Sequence, residues 1–324
     1  MTRDATRPVL VSDVGGTNTR IALVDGDGRQ MAVRRYANDS FSSYYDALSR
    51  FLVEHPETTG LAGACVAVAG PVTSDEAQLT NRNWHFSLGD IAARLDDVLP
   101  NGFDGSVRLL NDLAALGHAL PHLGHDGLEE VKPAATDPAN DQALVVGLGT
   151  GFNVAFVKLR LRGTVVAEAE LGHAGLPASV DRLLRDRLGA KADAFFSIEE
   201  LFSGRGLAAL SAAMTGTARD GAHLILDYDS DADARAVVDF MAQLMGTLCH
   251  EFVYYYMPFR GICFAGSVAR GVLSTPARAA FMQAFDRPGM FEGHIAQIAV
   301  RIITDDTAAL LGTESFLRRE LALS

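Results

Sequence analysis

The chain has 324 residues, 48% of them hydrophobic and 21% charged, a balance that excludes a disordered protein and leaves room for two domains. Its formal net charge of −12 argues against a nucleic-acid or anionic-membrane partner, because both bind basic surfaces. An anionic ligand must therefore be held locally, by backbone N–H groups, a metal ion or a few arginines.

The first elements predicted along the chain form a strand meander. Apolar runs separated by turn residues predict strands over residues 8–14, 19–25 and 30–36. A 3.6-residue apolar period then predicts a helix over residues 41–52, and a short apolar run predicts a buried strand over residues 64–69.

A loop-rich stretch over residues 80–87 is predicted next. Its last residue, Ser87, is well placed to cap a helix running through Leu95, with Asp90 at the third helical position. A strand over residues 107–110 follows and leads into a helix over residues 113–120.

The second half repeats this order after a polar loop over residues 126–141. Two strands flank a glycine-rich turn there. The elements predicted after them are a strand over residues 164–169, a helix over 232–256, strands over 262–265 and 298–303, and a helix over 307–321. A repeated order of meander, helix, strand, helix and strand predicts two α/β halves of similar topology.

Two glycine-threonine turns carry the clearest chemistry. The first glycine turn, residues 13–18, is Asp13-Val14-Gly15-Gly16-Thr17-Asn18, and the second, residues 147–151, is Gly147-Leu148-Gly149-Thr150-Gly151. Glycine lets backbone N–H groups approach an anion without interference from Cβ, and threonine adds a hydroxyl donor. One such turn is more often only a tight hairpin. The pair, with Asn111-Asp112 at a strand end between them, predicts a nucleotide held by two turns.

Other nucleotide and catalytic motifs are missing. A Walker A loop requires Gly-Lys, but the three lysines follow Val, Val and Ala. The second glycine turn has neither the spacing nor the following helix of a dinucleotide fingerprint, and no G-x-S-x-G occurs. His118, His122 and His125 lie near a helix end without a nearby cysteine, so we expect solvated histidines rather than a metal site.

The cysteines and apolar segments predict the compartment. Cys65, Cys249 and Cys263 are odd in number and far apart, which is typical of buried thiols in a reducing environment. The first residues lack a signal-peptide pattern, and polar side chains interrupt the most apolar helix near residues 237–257. We therefore expect a cytoplasmic protein that has no membrane partner and no nucleic-acid partner.

With these elements in order, the chain resembles the bacterial hexokinase-type glucokinases over nearly its whole length. Four blocks carry the resemblance, Leu79-Thr80-Asn81-Arg82-Asn83-Trp84, Leu110-Asn111-Asp112, Glu170-Leu171-Gly172-His173 and Glu199-Glu200-Leu201-Phe202-Ser203-Gly204. The related repressor and kinase group has a cysteine-rich zinc site after its Gly-His pair. Here no cysteine follows Gly172-His173 until Cys249, which disfavours that group.

The resemblance implies an α/β, two-domain actin-like ATPase fold, that is, a duplicated ribonuclease-H-like fold with a central cleft that closes on nucleotide and sugar. It implies a small domain over residues 1–121, completed by the C-terminal helix near residues 312–324, and a large domain over residues 122–311. It also implies a homodimer.

The resemblance makes Asp112 the general base that accepts a proton from a sugar hydroxyl. From the residues alone, Asp112 is also a suitable N-cap for the helix that follows it. The positions that match sugar ligands of the family are Asn81, Asn111, Asp112, Glu170, His173 and Glu199. Glu200 is the alternative to Glu199, although alignment on Ser203-Gly204 selects Glu199, and Trp84 is either core or part of the sugar pocket.

On the nucleotide side, the residues that match the family are Gly15, Gly16, Thr17, Asn18, Gly149, Thr150, Gly151, Gly266 and Ser267. Asp13 is expected to hold Mg²⁺ through water, with stabilisation of the turn as the alternative. The chain departs from the family pattern at Asn153 and Ser267, where glycine is common, and at Leu171, which interrupts a Glu-Gly-Gly run.

The resulting expectation is ATP-dependent phosphorylation of D-glucose on its primary hydroxyl. Phosphorylation of fructose or mannose is the first alternative, because the same ligands suit several hexoses. A sugar-sensing regulator without catalysis is disfavoured, since Asp112 is retained and few residues precede the first strand. An ATPase of the actin or chaperone type would not need the sugar-ligand positions.

Overall fold

The computed structural model describes residues 7–56, 58–161, 163–290 and 292–323. Backbone contacts divide it into two compact units. The first contains the residues up to Leu123 and those from Asp306 onward, and the second runs from Gly124 to Asp305. For comparison, the resemblance implied one domain boundary between residues 121 and 122 and another between residues 311 and 312.

The first unit is built on a five-stranded sheet in the order β3-β2-β1-β4-β7. Its strands are β1 (Val9–Val14), β2 (Asn18–Val24), β3 (Gln30–Ala37), β4 (Gly63–Val68), β5 (Glu76–Gln78), β6 (His85–Ser87) and β7 (Ser106–Asn111), with β5 and β6 forming a separate two-stranded ribbon. Its helices are α1 (Tyr44–Glu54), α2 (Leu88–Val98), α3 (Asp112–Ala119) and the last helix of the chain, α12 (Ala308–Leu323). Ser87 caps α2 as predicted, since its side chain accepts the Asp90 N–H.

The second unit is built on a six-stranded sheet in the order β11-β10-β9-β12-β13-β8. Its strands are β8 (Leu128–Lys132), β9 (Gln142–Leu148), β10 (Phe152–Lys158), β11 (Val165–Glu168), β12 (Gly261–Ala265) and β13 (Val300–Ile303). Its helices are α4 (Ala178–Leu188), α5 (Ile198–Leu201), α6 (Gly204–Thr215), α7 (Gly221–Leu226), α8 (Ala232–Tyr256), α9 (Ser267–Ser274), α10 (Arg278–Phe285) and α11 (Glu292–Ile295).

The two sheets share one topology, apart from the additional edge strand β8 of the second sheet. In the first unit β1, β2 and β3 are antiparallel, whereas β1, β4 and β7 are parallel. In the second unit β9, β10 and β11 are antiparallel, whereas β9, β12 and β13 are parallel. The prediction of two α/β halves of similar topology is confirmed.

Two predicted loops contain strands. The stretch over residues 80–87 ends in β6, which pairs with β5, and the polar loop over residues 126–141 begins with β8. Both strands are short, and β8 carries Glu129, Glu130 and Lys132. Because β8 lies at the edge of its sheet and pairs only with β13, it tolerates charged residues that mask the apolar alternation of a strand.

The long helix α8 has the bounds that the apolar period predicted. Asp231 caps it by accepting the N–H groups of Asp233 and Ala234. Most of its length is buried in the second unit, where it packs against α10. Of the helices in the described ranges, none has the length and hydropathy that a membrane crossing requires.

One of the three histidines expected to be solvated is buried. His122 and His125 are exposed, but His118 is only 4% exposed, and its ring lies 5.1 Å from that of Phe316 in α12. The expectation is wrong for His118 because α12, which lies far away in sequence, covers that face of α3. Burial, together with the charge of Arg319, lowers the pKa of His118 to about 4.

The buried His118 makes the stability of the protein sensitive to acid. An unfolded histidine, with a pKa near 6.5, takes up a proton more readily than His118 does in the folded protein, so the stabilisation is complete above pH 6.5 and declines as the pH falls toward 4. Between about pH 7.5 and about pH 5 we expect a loss of about 2 kcal/mol in the free energy of unfolding. Urea unfolding at the two pH values measures this loss of unfolding free energy. His118→Leu should remove this part of the pH dependence and His122→Gln should retain it; equal slopes in both variants would contradict the assignment.

Candidate active site

The first glycine turn connects β1 to β2 and brings a phosphate-binding candidate next to a sugar-binding candidate. Within the turn, the Gly15 N–H donates to the Asn18 carbonyl at 3.0 Å. A Cβ at Gly16 would lie 3.6 Å from that of Asn81, so the two residues are neighbours. The turn residues with exposed or partly exposed surface are Asp13, Gly15, Gly16, Thr17 and Asn18.

Asp13, the first residue of that turn, is paired with Arg20 on the neighbouring strand. The Asp13 Oδ2 and Arg20 Nη1 atoms are 3.0 Å apart, and both side chains are largely buried. Burial raises the pKa of Asp13, and the charge and hydrogen bond of Arg20 oppose that rise. Among the described residues, no three acidic, histidine or cysteine side chains converge as a set of metal ligands. The contact of Asp13 with a hydrated Mg²⁺ therefore stays a prediction.

Asn111 and Asp112 occupy the junction of β7 and α3. Asn111 is buried; its Oδ1 accepts the N–H groups of Leu113 and Ala114 at 3.0 and 3.3 Å, and its Nδ2 donates to the Gly70 carbonyl at 3.1 Å. Asn111 is therefore the N-cap of α3, and the alternative interpretation of Asp112 as that cap is wrong. Asp112 is the first residue of the helix and is partly exposed, and its Oδ1 accepts the Leu113 N–H at 2.9 Å.

The loop between β5 and β6 carries Asn81 and Trp84. Asn81 is exposed, whereas Trp84 is 4% exposed and belongs to the hydrophobic core of the first unit. The Arg82 guanidinium lies 5.4 Å from the centre of the Trp84 ring. Trp84 therefore anchors in the core the loop that presents Asn81.

Three glycine-containing segments meet at the second glycine turn. The Gly149 N–H donates to the Gly151 carbonyl at 3.0 Å, and the Gly149 carbonyl accepts the Gly204 N–H at 2.8 Å. A Cβ at Gly149 would lie 3.5 Å from Gly266 Cα and from Ser267 N. Gly266 has φ +101°, and a Cβ there would overlap the Leu148 carbonyl, so only glycine fits. The surface-accessible residues of this cluster include Gly149, Thr150, Gly151, Gly266 and Ser267.

Glu199 lies against the second glycine turn. Its Oε2 accepts the Phe152 N–H at 3.0 Å, and its Oε1 pairs with Arg205 at 3.1 Å. A Cβ at Gly151 would lie only 2.6 Å from Glu199 Oε2, so glycine makes room for this carboxylate. No such contact to the turn is made by Glu200, whose N–H serves the Ser197 cap of α5.

Glu170 and His173 are presented on one short turn of 3-10 helix, Leu171–His173. Both residues are exposed, and the His173 N–H donates to the Glu170 carbonyl at 3.3 Å. Asn153 anchors this segment to β10, because its Oδ1 accepts the Leu171 N–H at 3.0 Å. The asparagine that departs from the family pattern thus supports the loop carrying two sugar-binding candidates.

The structure therefore groups the candidates within each unit. In the first unit, the first glycine turn lies beside Asn81, and Asn111 precedes Asp112. In the second unit, the second glycine turn lies beside Glu199 and the Gly266-Ser267 pair, and Glu170 shares a turn with His173. The supporting role of Asn153 was not predicted from the sequence. The available signal was that Asn153 departs from the glycine that is common in the family pattern there.

Comparison with known proteins relates the chain to glucokinases. The family model described as glucokinase matches residues 10–320. The glucokinase of Ralstonia nicotianae is 31% identical, covering 94% of this chain and 93% of the relative, and that of Erwinia tasmaniensis is 29% identical over 98% of both. The crystal structure of a glucokinase from an Antarctic psychrotroph superimposes with a TM-score of 0.79 at 27% identity, covering 96% of this chain and 98% of the other.

These comparisons confirm the resemblance drawn from the four sequence blocks. They also confirm the fold class, since each unit of the chain carries one copy of the sheet order of the duplicated, actin-like ATPase fold. The match spans both units and includes every candidate residue named above. The chain belongs to the glucokinase family.

Proposed function

We propose that this protein transfers the γ-phosphoryl group of ATP to the primary hydroxyl of D-glucose. The observation that carries the proposal is the family match over residues 10–320 in a chain that retains Asp112 at the start of α3. The reaction needs a base for the sugar hydroxyl, partners for the other hydroxyls, and donors for the phosphate oxygens. The chain offers candidates for each.

Asp112 is the proposed base. A sugar hydroxyl is a weak nucleophile, and a carboxylate within hydrogen-bond reach can accept its proton as the phosphoryl group arrives, worth about 10² to 10⁴ in rate. The first turn of a helix also stabilises a negative charge. Because Asn111 caps α3, Asp112 is not needed for that purpose.

The remaining hydroxyls of the hexose are assigned to the polar side chains that match sugar ligands of the family. Carboxylates accept strongly, whereas asparagine and histidine can donate or accept. The proposed ligands are Asn81, Asn111, Glu170, His173 and Glu199. A hexose that lacks a bonded hydroxyl leaves one of these groups unpaired, which is a strong basis for selectivity.

Glu199 rather than Glu200 is the proposed ligand, and the two residues form a matched pair for a test. Glu199→Gln keeps an oxygen for the Phe152 N–H but removes the charge, so we expect the KM for glucose to rise about tenfold to 100-fold. Glu200→Gln should leave the KM for glucose unchanged. Steady-state kinetics on both variants measure the two KM values for glucose. A larger rise in KM for Glu200→Gln than for Glu199→Gln would reverse the assignment.

The triphosphate is assigned to the two glycine turns, to which the start of α9 at Ser267 adds N–H donors. Asp13 is the proposed contact of a hydrated Mg²⁺ that accompanies ATP, because one carboxylate plus phosphate oxygens is a usual environment for this ion. A bound Mg²⁺ would neutralise part of the negative charge of the phosphate groups. Arg20 holds Asp13 in a fixed orientation at the start of the turn.

The decisive experiment measures ADP release with a coupled assay, in the presence of glucose, fructose or mannose and without sugar. We expect release that depends on glucose and is weaker with the other hexoses. If ADP release were faster with fructose or mannose than with glucose, that hexose would be the proposed substrate instead. Absence of sugar-dependent ADP would refute the kinase function and favour a sugar-sensing regulator.

We also propose that the protein acts in the cytoplasm as a homodimer. Cys65, Cys249 and Cys263 are free and buried, which fits a reducing compartment, and the dimer rests on the resemblance alone. Sedimentation velocity measures the oligomeric state. A monomer at working concentrations would contradict the dimer.

A further inference from the structure

Asn38 is a fully buried polar residue directly after β3, and it makes three hydrogen bonds, two to the first glycine turn and one to Thr19, which follows the turn. Its N–H donates to the Thr17 carbonyl at 2.9 Å, and its Nδ2 donates to the Gly15 carbonyl at 2.7 Å. Its Oδ1 accepts the Thr19 hydroxyl at 2.8 Å. Asn38 thus contacts the first glycine of the pair, the residue after the pair and the residue after the turn.

These contacts fix the direction of an N–H group. A trans peptide is planar, so its C=O and N–H point in opposite directions. Because Asn38 holds the Gly15 carbonyl toward the interior, the N–H of Gly16, which belongs to the same peptide, points away from the interior. In the described ranges, this N–H has no hydrogen-bond partner in the protein.

The turn needs this support. Two consecutive glycines have more conformational freedom than any other pair, and ordering them costs conformational entropy. The hydrogen bond from Gly15 to Asn18 closes the turn but leaves the Gly15–Gly16 peptide free to rotate. A buried side-chain amide whose own hydrogen bonds are satisfied is a rigid partner, because breaking those bonds would leave polar atoms unpaired in the core.

We propose that Asn38 is a positioning residue for nucleotide binding, which aims the Gly16 N–H at a phosphate oxygen of ATP. This inference rests on the proposed function in that it assigns the first glycine turn to the triphosphate. Asn38 itself does not contact the nucleotide. It acts through the turn, so its loss should lower the affinity for nucleotide and leave the affinity for glucose unchanged.

Asn38→Asp provides the first test, since it retains an oxygen for the Thr19 hydroxyl but replaces the donor to the Gly15 carbonyl with a carboxylate oxygen. Titration with a non-hydrolysable ATP analogue should show an affinity loss of about tenfold or more, the equivalent of one lost hydrogen bond and a misdirected N–H. The KM for ATP should rise by a similar factor, while the KM for glucose stays unchanged. Thr19→Val, which removes only the hydroxyl that anchors the amide, should give a smaller loss in the same direction and serves if Asn38→Asp does not fold.

Tyr44→Phe is the matched control, because it breaks another buried hydrogen bond of the first unit, the one between the Tyr44 and Ser12 hydroxyls at 2.9 Å, which lies outside the turn. It should lower the unfolding temperature and leave the affinity for the analogue unchanged. The inference is overturned if Asn38→Asp and Thr19→Val behave like this control. If the wild-type protein binds the analogue but phosphorylates no hexose, the proposed function fails while the affinities still test Asn38; if the wild-type protein does not bind the analogue, both fail.

Discussion

Replacing Asp112 with asparagine is expected to abolish nearly all phosphoryl transfer and to leave glucose binding intact. Asparagine has the size of aspartate and can accept the Leu113 N–H in the same way, so α3 should begin unchanged. It cannot accept the proton of the sugar hydroxyl, and the loss should be at least about 10² to 10⁴ in kcat. Coupled kinetics measure kcat, and calorimetric titration measures the affinity for glucose.

Asp90→Asn separates catalysis from helix electrostatics. Asp90 also lies in the first turn of a helix of the first unit, α2, and is exposed. Its replacement removes a similar favourable interaction with the helix dipole, worth about 0.3 to 1 kcal/mol. We expect unchanged kcat for Asp90→Asn. A kcat of Asp112→Asn equal to that of the wild type would refute Asp112 as the base.

The fold was predictable because the sequence repeats its order of elements with strong local patterns. Glycine turns between apolar runs marked both meanders, and the apolar period of α8 gave its bounds. The strand β8 was missed because it carries charged residues at a sheet edge, where pairing with one neighbour is sufficient. Burial of His118 was missed because it depends on α12, which lies far away in the chain.

The candidate site was predictable to the extent that its residues stand in short motifs. Asn111-Asp112 and the two glycine turns each carry their geometry within a few residues. The supporting contacts are different, because Asn38 and Asn153 act on segments from other strands, and one asparagine in a strand or turn has no distinctive pattern. The choice between Glu199 and Glu200 likewise gains physical support only from the contact with the Phe152 N–H.

Gly312→Ala is expected to destabilise the first unit more than any single change on its surface. Gly312 is buried in α12 where this helix packs against α3. A Cβ there would overlap the Ala115 carbonyl and lie 2.8 Å from the Ala119 N atom. Alanine favours a helix over glycine by about 1 kcal/mol, but forcing two backbones apart typically costs about 1 to 3 kcal/mol or more, so the steric term should prevail. Urea unfolding should show a lower free energy of unfolding.

The same substitution should also reduce catalysis, because the helix that α12 would displace is the one that begins with Asp112. A lower kcat in the fraction that remains folded would therefore accompany the loss of stability. Gly89→Ala is the matched control: it is also a glycine within a helix of the first unit, but a Cβ there meets no atom within 4 Å. Its stability should be unchanged or raised by up to about 1 kcal/mol. If Gly312→Ala were as stable and active as Gly89→Ala, the close approach of α12 to α3 would not be what holds the candidate base in place.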